Sequence, residues 1–198
     1  MYFDLKNRIY VVTGASGGIG TALVNFLNRE GAELFLIDTD QTSLDQLKKE
    51  QATHQNQNYF LNSNLKDFKE ITNKLKKPIS GIIHLAGQLE SDNVTSNKKP
   101  IWERAIQNNL TNAYDIIENL LPYFDKNVVG KIILTSSLAY RRGGFDFIPY
   151  TASKGGITGL VRAYSRKLAP EILVNGLAPG IIDTKMPKKL IENRGDEL

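Results

Sequence analysis

Short apolar runs alternate with amphipathic stretches along most of the chain. Arg8 to Val12 predicts a first strand, and Gly18 to Arg29 a helix. In that helix Ile19, Ala22, Leu23, Phe26 and Leu27 recur at the three-and-four spacing of one buried face, and Gly31 supplies the stop. Glu33 to Ile37 predicts a second strand, then a short helix capped by Thr42 or Ser43 and carrying Leu44 and Leu47. Further strands are predicted at Asn58 to Leu61, Ile79 to Leu85, Gly130 to Ser136 and Glu171 to Asn175. Helices fall between them at Asp67 to Lys76, Ile101 to Leu121 and Tyr150 to Leu168. Strands separated by helices imply parallel βαβ units, and runs such as Leu34 to Ile37 imply burial on both sheet faces. The expected architecture is a doubly wound α/β sheet, with ligands beyond the carboxyl ends of its strands.

Composition narrows the chemistry. The 198 residues suit one domain, and the absence of cysteine removes disulfides, iron–sulfur clusters and a thiol nucleophile. Two histidines, His54 and His84, leave little for a metal site, and none is expected. A net charge of +4 is spread too thinly to demand nucleic acid, and the basic stretch Lys66 to Lys77 reads as a solvated helix face. No apolar run approaches bilayer length, no signal core precedes Tyr10, and Asp196-Glu197-Leu198 lacks the full retention tetrapeptide. A cytoplasmic protein with neither membrane nor nucleic-acid partner is the expectation.

Thr13-Gly14-Ala15-Ser16-Gly17-Gly18-Ile19-Gly20 sits where the first strand turns into the first helix. Glycine allows the tight turn and close backbone approach to a pyrophosphate, and the helix aims its free N–H groups there. No Gly-Lys-Ser or Gly-Lys-Thr ending follows, which disfavours a P-loop phosphotransferase. Asp38 closes the second strand, where a carboxylate accepts hydrogen bonds from a ribose diol and repels a 2′-phosphate. NAD(H) is therefore preferred, with NADP(H) not excluded; a plain capping role for Asp38 stays open. Tyr150 and Lys154 stand at i and i+4 on one helix face, where a lysine cation would stabilise the phenolate and make the tyrosine a usable proton donor and acceptor; taken alone, the spacing is better read as an ordinary surface pair.

With these motifs in this order, the chain resembles a short-chain dehydrogenase/reductase from its N-terminus to about Met186. Thr13, Gly14, Gly18 and Gly20 fit the family's glycine pattern. Ser137 precedes Tyr150 by thirteen residues, Asn109 matches the asparagine of the preceding helix, and Val174 to Gly180 matches the late strand and turn. The resemblance implies a Rossmann-type sheet and a hydride exchanged between a nicotinamide and a carbonyl or alcohol substrate, an acyl thioester among the candidates. It implies a catalytic set of Asn109, Ser137, Tyr150 and Lys154. Tyr150 exchanges the proton, Ser137 orients the carbonyl oxygen, Lys154 lowers the tyrosine pKa and holds the ribose, and Asn109 supports Lys154 through a water. Cofactor contacts are implied at Gly14, Ser16, Gly17, Gly18, Ile19, Gly20, Asp38, Asn64, Leu65, Ala86, Gly87, Tyr150, Lys154, Pro179, Gly180, Ile182 and Thr184. Ser136 reads as a strand-end hydrogen bonder, and Pro179-Gly180 as a nicotinamide anchor or simply a structural turn.

Two departures stand out. His84-Leu85-Ala86-Gly87 replaces the usual Asn-Asn-Ala-Gly, with His84 read as a satisfied strand-end histidine; Asn64 replaces the usual aspartate near adenine. Arg141-Arg142, between Ser137 and Tyr150, is placed near the mouth of the site, to meet a carboxylate, a phosphate or an acidic carrier protein, or, as the better reading, to sit as a solvated loop pair. A 3-oxoacyl-reductase-like enzyme or a small-alcohol dehydrogenase is the expected activity, and a non-catalytic nucleotide-binding or redox-sensing module the alternative. Relatives pair the helices at Ile101 to Leu121 and Tyr150 to Leu168 across subunits, and Gly155, Gly156 and Gly159 suit the close approach of a homodimer or homotetramer. The whole of residues 1–198 reads as one dinucleotide-binding and catalytic domain. Relatives continue with a substrate-covering segment and a seventh strand, so six strands and a truncated C-terminus are expected, an exposed sixth strand being the other possibility.

Overall fold

In the computed structural model, residues 5–53, 56–94, 96–184 and 186 are described; His54 and the tail reading at Asp196 to Leu198 lie outside them. Six parallel strands form one sheet: β1 (Ile9–Thr13), β2 (Glu33–Asp38), β3 (Asn58–Asn62), β4 (Gly81–His84), β5 (Gly130–Thr135) and β6 (Ile172–Leu177), in the order β3-β2-β1-β4-β5-β6. The chain winds outward from β1 to β3, then returns to β4 and winds the other way. The reversal places a crevice at the carboxyl ends of β1 and β4. Thr13 pairs with Ile37 on one side and His84 on the other, so three strands end level at that crevice.

Successive strand residues point to opposite faces, which sorts the core into two layers. Val11, Phe35, Ile37, Ile82 and Ile132 pack on the face covered by Ile116 and Leu120 of α5 (Asn112–Leu120) and Ile157 of α7 (Ile148–Leu168). Val12, Leu34, Leu36 and Ile83 pack on the other, against Val24 and Leu27 of α1 (Gly18–Arg29) and Leu47 of α2 (Gln41–Gln51). Each such side chain, fully buried, contributes about 1.5–3 kcal/mol. The remaining helices are α3 (Phe68–Lys74), α4 (Lys99–Ala105) and α6 (Ala139–Arg142). Tyr164 of α7 donates to Glu118 of α5 at 2.6 Å and ties the two helices that cover the first face.

Several local expectations are corrected. In α1, Ile19 and Ala22 are exposed, and the buried stripe runs Gly20, Val24, Leu27 and Asn28. Helix α2 is capped by Asp40, which accepts from the Ser43 N–H at 3.0 Å, rather than by Thr42 or Ser43. The predicted helix from Ile101 to Leu121 is interrupted: α4 passes into a π-helical turn at Ile106–Thr111 before α5 resumes. Helix α6 is an element that the hydrophobic pattern did not announce. Gly156 meets Leu110 of the same chain, so its small size serves packing between α7 and the π turn. Gly159 faces open space.

Candidate active site

The glycine-rich turn is built for backbone approach. Gly14 adopts φ +67°, which favours glycine, and a Cβ there would lie 2.8 Å from the Ala86 nitrogen. The Ala86 N–H donates to Thr13 Oγ1 at 3.3 Å, joining the turn to the segment after β4. Asp38 holds the turn from the other side: its carboxylate accepts the Ser16 N–H at 2.9 Å and the Thr39 N–H at 2.7 Å. The next helix is capped by Asp40, so Asp38 is not its cap. Helix α1 begins just after Gly17 with no acidic side chain in its first turn. Its first N–H groups lack intrahelical partners and carry the positive end of the dipole, an arrangement that fits a dinucleotide's pyrophosphate.

Beyond β3 the fit is looser. Asn64 Oδ1 accepts the Lys66 N–H at 3.1 Å, and the Leu65 N–H points to Ser63 Oγ at 3.2 Å. The Leu65 side chain belongs to the core, held there by a positive φ of 61°. Both residues are thus engaged in a local turn.

A cavity of about 390 Å³ opens beside the glycine turn. Of the residues expected at the site, Ser137, Tyr150, Lys154, Ile19, Gly87, Pro179, Gly180, Ile182 and Thr184 line it. Tyr150 stands in the first turn of α7, and Asp92 Oδ1 receives the Ile148 N–H at that helix start, 3.2 Å away. Lys154 follows one turn later. Its Nζ donates to the Thr135 carbonyl at 2.9 Å and sits 5.7 Å from the centre of the Tyr150 ring. Burial pushes the lysine down to about 8. Burial also raises the Tyr150 phenol above its ordinary value, and a hydrogen bond with Ser137 partly offsets this. Among these protein groups alone, desolvation outweighs the Ser137 hydrogen bond, and the lowering of the tyrosine expected from Lys154 is not seen.

The adjacent serines divide their work. Ser136 Oγ donates to the Lys154 carbonyl at 2.7 Å and fastens α7 to the end of β5, while Ser137 faces the cavity. Asn109 is fully buried in the π turn. Its Nδ2 donates to Gln88 O and Ala105 O, both at 3.0 Å, and its Oδ1 accepts the Gln88 N–H at 2.9 Å. A Cβ at Gly87 would lie 2.6 Å from Asn109 Oδ1 and 3.1 Å from Lys154 Nζ, so glycine lets both polar groups close on the same backbone. On the far side Thr184 rests against Gly18, and the Pro179 carbonyl accepts the Leu138 N–H at 2.9 Å.

His84 is buried completely, with Nδ1 2.8 Å from Thr13 Oγ1. Its Nε2 has no hydrogen-bond partner among the described residues, so the expected satisfied histidine is satisfied on one side only. Burial, reinforced by the Lys154 cation, pushes it down to about 3. Arg142 lines the cavity and Arg141 does not. Leu89, Leu138, Phe145, Phe147, Ile181 and Met186 complete the apolar walls, and sequence reading missed all six. The one available signal was Phe145 and Phe147 in a glycine-flanked loop between Ser137 and Tyr150. Among the described residues no cluster of histidine and acidic side chains could hold a metal ion, and no helix is long and apolar enough to cross a membrane.

A parallel sheet with a glycine-lined crevice at its strand reversal, beside a tyrosine–lysine pair in a cavity, is the layout of an α/β oxidoreductase. The chain belongs to the short-chain dehydrogenase/reductase family, whose sequence profile for short chain dehydrogenases matches residues 8–195. It is 31% identical to a 3-oxoacyl-[acyl-carrier-protein] reductase of Thermotoga maritima over 195 residues, covering 95% of this chain and 79% of that protein. It is 30% identical to an acetoacetyl-CoA reductase of Synechocystis, covering 96% and 78%. A crystal structure of a short-chain dehydrogenase/reductase (glucose/ribitol dehydrogenase) from Brucella melitensis superposes with a TM-score of 0.90 at 30% identity, covering 100% of this chain and 82% of that one.

Proposed function

We propose that the protein reduces a carbonyl to an alcohol, or runs the reverse oxidation, with Tyr150 exchanging the proton and NAD(H) as the preferred cofactor. The observation that carries this reading is the convergence of Ser137, Tyr150 and Lys154 on one cavity beside the glycine turn. The bound nicotinamide supplies or accepts the hydride. Gly14, Ser16, Gly17, Gly18, Ile19 and Gly20 hold the pyrophosphate, Asp38 the adenosine ribose, Asn64 and Leu65 the adenine edge, and Ala86, Gly87, Pro179, Gly180, Ile182 and Thr184 the nicotinamide half. In reduction the Tyr150 hydroxyl gives its proton to the carbonyl oxygen as the carbonyl carbon gains the hydride. Ser137 Oγ hydrogen-bonds the same oxygen and stabilises its developing charge. Lys154 favours ionisation of the Tyr150 phenol and positions the ribose. Asn109 holds the Gly87–Gln88 backbone beside Lys154, supporting a water-borne return of the proton.

Resemblance to 3-oxoacyl and acetoacetyl reductases favours a 3-oxoacyl substrate over a small alcohol. Asp38 favours NAD(H), because its carboxylate would face a 2′-phosphate; NADP(H) remains the second choice. The reading carries a cytoplasmic homodimer or homotetramer, supported by the exposed Trp102 on α4 and Tyr114 on α5. It is tested by NADH oxidation against a panel of ketones and acyl thioesters. Tyr150→Phe is expected to lower kcat by about 10²–10⁴-fold, the usual worth of a general acid, with NADH affinity changed less than threefold. Tight NADH binding with no turnover of any substrate would favour the rival reading, a nucleotide-binding or redox-sensing module.

A further inference from the structure

Among the described residues, the charged ones lining the cavity are all cationic. They are Lys154 and Arg142, and no aspartate or glutamate among the described residues lines it. The two cations differ in what they are already doing. Lys154 Nζ is committed to the Thr135 carbonyl, whereas the Arg142 side chain makes no hydrogen bond or ion pair with the described residues. Arginine's planar fork matches carboxylate and phosphate oxygens in pairs. An unopposed cation against a low-dielectric wall focuses a field that draws anions in.

The backbone fixes this arginine relative to the reacting end of the site. Ser137 Oγ accepts the Ala139 N–H at 3.2 Å, Tyr140 N–H bonds Ser137 O at 3.1 Å, and Arg142 N–H bonds Leu138 O at 3.1 Å. Arg142 is therefore the last residue of α6, five residues after Ser137 and tied to it through the α6 turn. Much of the lining is apolar: Leu138, Phe147, Ile181, Ile182 and Met186 line the same cavity, and Phe145, also lining it, is 86% exposed.

We infer that Arg142 is a specificity determinant: the site takes a carbonyl compound that also carries an anionic group, and Arg142 binds that anion. This rests on the carbonyl-reducing reading above. Two sources share the anion chemistry, the carboxylate of an oxo acid and the phosphates of an acyl thioester's carrier arm.

The experiment pairs charged substrates with neutral ones of the same reacting end: 5-oxohexanoate with its methyl ester, and acetoacetyl-CoA with the N-acetylcysteamine thioester of acetoacetate. Steady-state NADH oxidation is measured for the wild type, Arg142→Gln, Arg142→Lys and, as a control, Arg141→Gln. Arg142→Gln is expected to raise KM at least tenfold for the charged member of one pair or both, leaving kcat/KM for its neutral partner within twofold. Whichever pair responds identifies the source of the anion. Arg142→Lys restores part of the loss, and added salt raises KM for the charged substrate in the wild type but not in Arg142→Gln. The KM for NADH stays unchanged. Equal effects on charged and neutral partners, or a shift confined to NADH, overturn the inference while the carbonyl-reducing reading stands. No wild-type turnover of any of the four compounds overturns the inference, and the carbonyl-reducing reading falls with it only if the wider panel of ketones and acyl thioesters also gives no turnover.

Discussion

His84 occupies a position where its neutral form is the only one the surroundings accept. Buried at the end of β4 beside the Lys154 cation, it is pushed down to about 3 from an ordinary 6.5. Below pH 6.5 the unfolded chain takes up a proton that the native protein refuses until about pH 3. The His84 contribution is therefore complete above pH 6.5 and is lost as pH falls toward 3, at up to about 1.4 kcal/mol per pH unit. Urea unfolding of the wild type is expected to lose about 2 kcal/mol from this group between pH 6.5 and 5. His84→Asn should lack that loss, and parallel pH slopes for the two proteins would contradict the assignment. The same residue shows where sequence reading ran short. Its strand-end place was legible, but that only one ring nitrogen finds a partner depends on Thr13, a neighbour supplied by the sheet. Ile19 teaches a related lesson. Its spacing with Leu23, Phe26 and Leu27 announces a buried face, yet it is exposed and lines the cavity. Hydrophobic periodicity does not distinguish a side chain facing the core from one facing a ligand.

At the scale of elements, helix α7 carries Tyr150 and Lys154 and is fixed both at its own start and at Lys154. Asp92, buried in the segment after β4, accepts the Ile148 N–H at the helix start, where Phe147 offers no side-chain cap. Ser136 holds the Lys154 carbonyl from the end of β5. Asp92→Ala should lower the unfolding free energy in urea at pH 7 by about 1–2 kcal/mol, the usual worth of a helix cap. Asp92→Asn keeps an acceptor oxygen and should lose less; equal losses would show that the carboxylate acts otherwise. The helix itself was legible from its place between the fifth and sixth strands and carried the Tyr150–Lys154 pair. Its long-range cap was not, because Asp92 lies in a loop without periodicity. The π turn at Ile106–Thr111 was hidden for a similar reason. Its extra residue per turn turns Asn109 toward Gln88, and that partner comes from another part of the chain.

For the whole molecule, the alternation of strand and helix sufficed for the doubly wound sheet, since parallel strands require crossovers and crossovers take one hand. The crevice follows from the winding reversal between β1 and β4, and the glycine turn sits at it. Its substrate side was far less legible. The walls come from the segment after β4, the α6–α7 loop and the chain beyond β6, whose apolar residues meet only in the folded protein. The account makes that assembled cavity a place where a hydride and a proton reach one carbonyl. The most direct measurement gives wild type and Tyr150→Phe NADH carrying two deuterium atoms at C4, with an acetoacetyl thioester, and weighs the alcohol formed. The wild type should yield 3-hydroxybutyryl thioester bearing one deuterium on the carbinol carbon, and Tyr150→Phe at least a hundredfold less of it. Deuterated NADH that binds tightly yet transfers no label to this or any other carbonyl would contradict the account and leave a nucleotide-binding module.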